Sequence, residues 1–254
     1  LGVFFGRGIL SGTGSVNMHS ISVDENQIYL ANPDDQGTEW TGIHLQLSAV
    51  NNDGGGPVPS GMTTISCDRN HIRNTGYNAI DFEMLGYTEQ NAQGDLTNVT
   101  KVKNASCSGN LIIGGTAMVT TVHRGLLRID LENAVLQQFT LQGNNVETIY
   151  ADGLGEALVV ATNYLPPNPP VNNNDDNQYW SVQSNVITHG SDGNEHVIAV
   201  MDAGGATGWH YGPPVQGIVT GNLNTSDTNA NDDFNGAYWA FGGTSIQSNN
   251  LVIP

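Results

Sequence analysis

Ser66-Cys67-Asp68-Arg69-Asn70-His71-Ile72 is the stretch of sequence that decides the fold of this chain. Its pattern is a small residue, an apolar residue, two variable positions, Asn, one variable position and a second apolar residue. The same pattern begins again at Ser22, Ser106, Thr140, Ser181 and Ser245. An imperfect copy has Ile218, Val219 and Asn222, with the second apolar residue moved to Leu223. Fixed spacing within a motif that recurs along the chain is typical of stacked structural repeats.

Every copy of the motif has an asparagine at the same position. A second type of segment lies between successive copies. The asparagines are Asn26, Asn70, Asn110, Asn144, Asn185, Asn222 and Asn249. The intervening segments alternate apolar and polar residues, as in residues 43–47 (IHLQL), 80–84 (IDFEM) and 127–131 (LRIDL). Alternation with a period of two is typical of a strand with one face in the core and one in solvent. Each repeat therefore predicts two or three short strands and no helix.

The composition indicates one folded domain that is poorly suited to bind nucleic acid. Of 254 residues, 38% are hydrophobic, 12% are charged and 32 are glycine, which suits short strands joined by turns. Lys and Arg number 7 against 24 Asp and Glu, so the net charge is −17. Nucleic acids and anionic membranes are bound by clustered basic side chains, and we expect neither as a partner. Neutral glycans and divalent cations fit this charge better.

The two ends of the sequence indicate a piece of a longer protein. The chain begins at Leu1 without a signal-peptide pattern and ends on the apolar residues 251–254. No apolar run approaches the ~20 residues of a membrane helix, so no membrane insertion is expected. We interpret the chain as part of an extracellular or cell- or virion-surface protein. One domain is expected over residues 1–254, with 1–13 as an N-terminal edge segment and 14–253 as stacked coils.

Asn70-His71-Ile72 followed by residues 76–82 (GYNAIDF) resembles the repeat of the right-handed parallel β-helices of the pectin-lyase-like superfamily. The resemblance extends from about Gly14 to Ile253. It implies an all-β fold, a single right-handed parallel β-helix of about seven coils. Members of that superfamily include polysaccharide lyases, glycoside hydrolases, phage tailspikes and bacterial surface adhesins. The resemblance therefore implies the coil and leaves the activity open.

In a stack of such coils, the repeated Asn is expected at a tight turn in a left-handed conformation, with its side-chain amide paired along the stack. Cys67 and Cys107 hold the same motif position in consecutive copies. Equivalent positions of neighbouring coils lie ~4.8 Å apart, which is within the range of a disulfide. Buried free thiols are the alternative, because cysteine is among the most buried residue types.

Long insertions recur at one place in the repeat, after the alternating strand and before the next motif. They are residues 51–61, 86–100, 163–177 and 203–216. This common place predicts long loops at one corner of successive coils. Loops gathered on one face usually form the binding face of a repeat protein. Long corners are alternatively just tolerated, because the entropy of loop closure grows slowly with length.

Candidate catalytic residues lie on the outward positions of the alternating strands. The expected register pairs Ile43, Ile80 and Ile129. It gives two outward columns, His44, Asp81 and Asp130, and Gln46, Glu83 and Glu132, with Arg128 beside them. Carboxylates on neighbouring strands would lie ~4.8 Å apart, close to the spacing of a retaining glycosidase pair. If the chain is an enzyme, the catalytic candidates are Asp81, Glu83, Asp130 and Arg128.

A row of solvated polar side chains is the alternative interpretation of these outward columns. The resemblance to the superfamily does not favour an enzyme. The basic residues of its lyases and the paired aspartates of its polygalacturonases have no clear counterpart in this sequence.

One oxygen-rich loop is a candidate calcium site. Asp227, Asn229 and Asn231 stand at loop positions one, three and five, as in hard-cation loops. Asp232 and Tyr238 replace the Gly and Glu that an EF-hand has at positions six and twelve. An ordinary polar turn is the alternative. No cofactor is required, and Ca²⁺ is the candidate ion.

Exposed aromatic side chains are the candidates for glycan binding. Trp209, His210 and Tyr211 fall in one of the long insertions, and Tyr179 and Trp180 open a strand. Aromatic rings beside polar groups provide platforms for sugars. A Trp at the base of a loop is alternatively a cap on the apolar core.

The sequence favours a non-catalytic extracellular scaffold over an enzyme, since it has few basic residues and no recognisable catalytic set. Such a scaffold would be a segment of a surface adhesin, filament or spike whose loops bind a glycan or a surface protein. The alternative is a polysaccharide-degrading enzyme, a glycoside hydrolase or lyase of tailspike type, that uses the outward carboxylates. The open ends of a stack make a homo-oligomer or an end-to-end assembly a further candidate.

Overall fold

The computed structural model is all-β in the part of the chain that it describes. The described residues are 3–6, 18–29, 41–48, 61–73, 78–85, 87–90, 96–98, 100–114, 127–132, 134–148, 159–164, 178–189, 198–200, 215–226, 238–239, 245–248 and 251–253. Within these ranges the regular elements are strands, and nearly all of them lie in parallel sheets.

The strands, numbered in chain order, form three parallel sheets of seven strands each among the described residues. Sheet I contains β1 (Val3–Gly6), β4 (Ile43–Ser48), β7 (Ile80–Leu85), β12 (Leu127–Glu132), β15 (Val159–Tyr164), β18 (Ile198–Val200) and β21 (Tyr238–Trp239). Sheet II contains β2 (Met18–Ser22), β5 (Gly61–Ser66), β10 (Thr100–Ser108), β13 (Ala134–Gln142), β16 (Gln178–Gln183), β19 (Val215–Thr220) and β22 (Ser245–Ser248). Sheet III contains β3 (Gln27–Tyr29), β6 (His71–Arg73), β11 (Leu111–Gly114), β14 (Asn145–Thr148), β17 (Val186–His189), β20 (Leu223–Ser226) and β23 (Leu251–Ile253).

The chain visits sheets I, II and III in turn and then returns to sheet I. Each strand therefore pairs with its equivalents one repeat earlier and one repeat later. In sheet III, for example, His71 pairs with Gln27 on one side and Leu111 on the other. Outside the three sheets, β8 (Tyr87–Gln90) and β9 (Leu96–Asn98) pair antiparallel within one of the long insertions. The predicted all-β fold of stacked parallel strands is confirmed, and it is compatible with a β-helix.

The apolar positions of the repeats form one buried cluster to which all three sheets contribute. In sheet III, the buried residues Ile72, Ile112, Val146 and Ile187 follow one another on adjacent strands. Such columns bury side chains against their equivalents in the next repeat, so no repeat closes its core alone. The apolar residues of the motif thus form the core of the stack, whereas its small residues, such as Ser66 and Ser181, are only partly buried and lie on the outer face.

The motif asparagines are joined by hydrogen bonds into a continuous ladder from Asn26 to Asn222. The Oδ1 of each Asn accepts hydrogen bonds from the backbone N and the Nδ2 of the Asn one repeat earlier. Between Asn110 and Asn144 both distances are 2.9 Å. From Asn70 onward, Nδ2 also donates to a backbone carbonyl of the preceding repeat. Asn249 lies outside the described residues.

The left-handed residue of each turn is the one before the asparagine. Positive φ values occur at Glu25, Arg69, Gly109, Gly143, Ser184 and Gly221, all of which precede a motif Asn. The prediction that the Asn itself is left-handed is wrong. The preceding residue carries the chain from sheet II into sheet III, and the Asn can then point its amide along the stack. Glycine adopts this conformation without the strain that a side chain adds, which suits positions such as Gly143.

In the last two repeats, an apolar residue of the motif does not lie opposite the buried apolar residue of the repeat before. Asn224, not Leu223, pairs with the buried Ile187. Gln247, not Ile246, pairs with the buried Val219. A shift of one residue exchanges the faces of a strand, and pairing with the previous strand sets the register here. The imperfect copy thus keeps its register, with Leu223 out of the apolar position, whereas the alignment of the last copy from Ser245 is wrong by one residue.

Cys67 and Cys107 are free, buried thiols. Each sulfur lies near the Asn of its own turn, with Asn110 Nδ2 3.3 Å from Cys107 Sγ. Burial raises the pKa of both thiols, because a buried thiolate is poorly solvated. The two cysteines therefore act as small apolar residues of the core, and their thiol form is unreactive at neutral pH.

Replacing Asn144 with Ala should destabilise the protein by about 3 kcal/mol, because buried groups lose their partners. The change removes the acceptor of Asn110 N and Nδ2 and the donor to the Cys107 carbonyl. The control is Asn145→Ala, which alters an exposed side chain next in sequence and should change stability by less than ~0.5 kcal/mol. Urea unfolding measures both. Equal losses of unfolding free energy in the two variants would show that the asparagine ladder adds little to stability.

Candidate functional site

Polar side chains occupy the outward positions of three neighbouring strands in sheet I. Ile43, Ile80 and Leu127 are buried and pair with one another across β4, β7 and β12. The next residue on each strand points to the opposite face, because side chains alternate along a strand. This places His44, Asp81 and Arg128 in one outward row.

The register of β12 differs from the prediction by two residues. Ile80 pairs with Leu127 instead of Ile129, so Arg128 lies opposite Asp81 and Asp130 lies opposite Glu83. The predicted column of His44, Asp81 and Asp130 is therefore wrong. A shift of two residues leaves every side chain on its own face, so the alternating pattern cannot detect it.

The outward row forms a network of opposite charges with Glu83, which lies two residues beyond Asp81 on β7. Arg128 Nη1 lies 3.4 Å from Asp81 Oδ2, and His44 Nε2 lies 3.1 Å from Glu83 Oε2. His44 Nε2 is also 3.9 Å from Asp81 Oδ2. The Asp81 side chain is only 4% exposed, whereas those of Arg128, Glu83 and His44 are 20%, 22% and 31% exposed. Asp81 is thus the buried centre of the network, and buried carboxylates need such partners.

Two members of this network were not anticipated in their observed roles. Arg128 is predicted beside the carboxylates and instead lies in the outward row, opposite Asp81. His44 was expected to be a column neighbour of Asp81 and is also the partner of Glu83. The sequence shows that both residues are polar and lie at outward positions of their strands. The residues that they contact depend on the register between strands.

Glu83 and its neighbours raise the pKa of His44 above its ordinary value. The largest cause is the hydrogen bond between the imidazole and the Glu83 carboxylate. Partial burial opposes it, the negative charges of Asp81 and Glu83 add to it, and the positive charge of Arg128 opposes it. The network therefore favours the protonated form of the imidazole.

Gly42 brings the start of β4 close to the next repeat and so sets the position of His44. The Gly42 amide donates to the Asn78 carbonyl at 3.0 Å, and the Ile43 amide donates to the Ala79 carbonyl at 2.9 Å. A Cβ on Gly42 would lie 2.6 Å from the Ala79 carbonyl oxygen and 2.8 Å from Ile72 Cγ2. No side chain fits at this distance unless the backbone moves.

Tyr179 and Trp180 are separated by the alternation of β16. Tyr179 is 51% exposed, whereas Trp180 is 2% exposed. Trp180 Nε1 donates to the Leu136 carbonyl at 3.0 Å, and its ring meets that of Phe139 edge to face at 5.5 Å. The prediction that Trp180 is a platform for sugars is wrong, because its ring is in the core. Sequence neighbours on a strand face opposite ways, and the composition of the pair does not tell which one is inside.

The remaining predicted site residues lie outside the described residues. These are the aromatic candidates Trp209, His210 and Tyr211 and the calcium candidates Asp227, Asn229 and Asn231. Within the described ranges, His, Cys, Asp and Glu form no group of three or more that could hold a metal ion. The same ranges contain no helix with the length and apolar character needed to cross a membrane.

Comparison with known proteins returns no match to any protein-family model, curated protein or solved structure. What the chain does is therefore inferred from its own residues and contacts.

Gly42→Ala should destabilise the protein by about 1–3 kcal/mol, because the added methyl group clashes with backbone atoms. Gly143→Ala is the control, since a Cβ there meets nothing within 4 Å and only its positive φ is unfavourable. We expect the control variant to lose about 1 kcal/mol of its free energy of unfolding. Urea unfolding compares the two. A smaller effect at Gly42 than at Gly143 would contradict the close approach.

His44→Gln should reduce the dependence of stability on pH. The pKa of His44 is higher in the folded than in the unfolded protein. Its contribution is therefore fully present below the ordinary value of about 6.5 and is lost as the pH rises through the folded pKa. At pH 5.5 we expect the free energy of unfolding to be about 0.5 kcal/mol higher for the wild type than for the variant. This difference should disappear at alkaline pH.

Urea unfolding of both proteins at several pH values between 5.5 and 9 measures this difference. The other six histidines are common to both proteins and cancel in the comparison. A difference that stays constant across this range would show that His44 does not titrate against Glu83.

Proposed function

We propose that the chain forms a right-handed parallel β-helix of about seven coils, of the pectin-lyase-like type. Support comes from the parallel sheets, from their equal number of strands in the described residues and from the order in which the chain visits them. The hydrogen-bonded asparagines at one turn of every repeat also support it. The insertions 51–61, 86–100, 163–177 and 203–216 all connect a strand of sheet I to one of sheet II. We place them at one corner of the coil.

The function that we propose is that of a non-catalytic scaffold in an extracellular or cell- or virion-surface protein. The chain would be a rigid segment of an adhesin, filament or spike that presents its surface to a glycan or a surface protein. The observation that carries this proposal is the pairing of the outward carboxylates on sheet I. Asp81 contacts Arg128, and Glu83 contacts His44.

The chemistry of these pairs suits a scaffold better than an active site. The Arg128 guanidinium and the His44 imidazole occupy Asp81 and Glu83, whereas a catalytic carboxyl must lie within hydrogen-bonding reach of the substrate. Asp81 is moreover almost fully buried, which limits the approach of a sugar. Closed ion pairs on a parallel sheet hold neighbouring strands together, as the scaffold requires.

A second candidate is a glycoside hydrolase or lyase, and the observed register favours one pair of carboxylates for it. Glu83 and Asp130 occupy paired positions on neighbouring strands. Such positions are ~4.8 Å apart, close to the separation of a retaining glycosidase pair. In this alternative Asp81 and Arg128 would hold the pair in place.

Assays for reducing ends and for unsaturated products over a panel of polysaccharides separate the two proposals. We expect no product from the wild-type chain. The variants Glu83→Gln and Asp130→Asn remove the candidate pair, and Asn145→Ala is a matched surface control. Product formation that is lost in the first two variants and kept in the third would overturn the scaffold proposal and establish the enzyme.

Calcium binding at Asp227, Asn229 and Asn231 is a subsidiary proposal, and so is glycan binding at Trp209, His210 and Tyr211. Both are supported by residue types and spacing alone. End-to-end or homo-oligomeric assembly is proposed on the general tendency of exposed strand edges to pair.

A further inference from the structure

Sheet II carries an exposed aromatic ring between two exposed amide side chains. Tyr179 on β16 pairs with Gln138 on β13 and with Gln216 on β19, and all three are exposed. Two positions further along the strands, Ser181 pairs with Thr140 and Ile218. These six residues point to the same side of three adjacent strands, and we call them the Tyr179 face: Gln138, Thr140, Tyr179, Ser181, Gln216 and Ile218.

The Tyr179 face combines apolar and polar groups in alternation. Tyr179 is 51% exposed and Ile218 is 46% exposed, so both side chains present apolar surface to solvent. Amide and hydroxyl groups surround them. The face therefore offers a flat ring, an aliphatic contact and several hydrogen-bond donors and acceptors within the width of three strands.

The backbone beneath Tyr179 is held rigidly. Trp180 is fixed in the core by its hydrogen bond to the Leu136 carbonyl and by its contact with the Phe139 ring. On the other side, the buried Gln178 side chain accepts a hydrogen bond from Leu136 N at 3.0 Å. A ring whose backbone is already ordered loses less entropy when it binds a ligand.

Charge distinguishes the Tyr179 face from the earlier part of sheet II. In the first repeats the serine column is tied to carboxylates: Ser66 Oγ lies 3.0 Å from Asp24 Oδ1, and Ser106 Oγ lies 3.0 Å from Asp68 Oδ2. The positions equivalent to Asp24 and Asp68 are Gln142 and Gln183 beside the Tyr179 face. None of the six residues of the face is charged.

We propose that the Tyr179 face binds a neutral glycan. This proposal rests on the proposed role of the chain as a scaffold for glycan or protein binding. The apolar face of a sugar ring would stack on Tyr179, while the glutamine amides and the Ser181 and Thr140 hydroxyls bond to sugar hydroxyls. Neighbouring strands are ~4.8 Å apart, about the length of one sugar ring, so a glycan running along the stack meets one strand per sugar. A net charge of −17 on the chain disfavours an anionic polysaccharide.

Tyr29 provides a matched control, because it is exposed and is paired with a charged residue. It is 70% exposed on β3 and pairs with Arg73, a charged residue. Tyr29 therefore has an equal ring and more exposure than Tyr179, but the residue paired with it is a charged arginine and not an amide.

The experiment is affinity electrophoresis and titration calorimetry of the whole chain with soluble neutral polysaccharides, namely a β-glucan, a galactomannan and a xylan, and with polygalacturonate as the anionic comparison. We expect binding to at least one neutral polysaccharide and none to polygalacturonate. Tyr179→Ala should raise the dissociation constant at least roughly tenfold. Gln138→Ala should raise it by a smaller factor, and Tyr29→Ala should leave it unchanged. Tyr179→Phe should retain most of the affinity, since the ring remains.

Different results overturn this proposal and the proposed function separately. Binding that is equal in wild type and Tyr179→Ala overturns the Tyr179 face and leaves the scaffold proposal standing. Absence of binding to every neutral polysaccharide, or binding to polygalacturonate alone, also overturns the face. Cleavage of a bound polysaccharide overturns the non-catalytic scaffold, while loss of binding in Tyr179→Ala would still support the face. Thermal unfolding of each variant verifies that the fold is intact.

Discussion

The hydrogen bonds between buried asparagine amides of successive repeats are the interaction on which the rest of the structure depends. A primary amide has an acceptor and two donors, so it can accept from the repeat before it and donate to the repeat after it. Aspartate has no donor and serine has a single one, and neither could pass the pattern along the stack while also bonding to a backbone carbonyl. Because Asn144 and its equivalents are buried, each missing partner would leave an unsatisfied group in the core.

The ladder and the inward columns leave the outward positions free to differ between repeats. On sheet I, these positions carry the ion pairs that surround Asp81. On sheet II, they change from serines bonded to Asp24 and Asp68 to the uncharged surroundings of Tyr179. The same strand geometry thus supports two chemically different surfaces. Binding specificity can change at such positions without cost to the core, which is typical of repeat proteins.

Much of the fold was predictable from the spacing of residues, and most of the candidate site was not. The recurrence of Asn at one motif position and the alternation around Ile80 predict stacked strands and aligned amides. The partner of Asp81 was not predictable, because shifting β12 by two residues preserves the alternation and changes which residue lies opposite. The left-handed residue was misplaced for a related reason. The motif shows where the chain turns, and backbone pairing decides which residue of the turn takes the positive φ.

The sequence by itself determined that the chain is all-β and built from stacked parallel strands, because periodicity and motif spacing follow from strand geometry and are local properties. Tertiary structure alone decided that Arg128 and not Asp130 faces Asp81, that Trp180 is inside while Tyr179 is exposed, and that Asn224 takes the place opposite Ile187. These are choices of register between strands about 40 residues apart in sequence. Backbone hydrogen bonds are the same for every residue type and therefore do not select a register. Side-chain packing in the assembled stack selects it, and the sequence of a single strand does not show that packing.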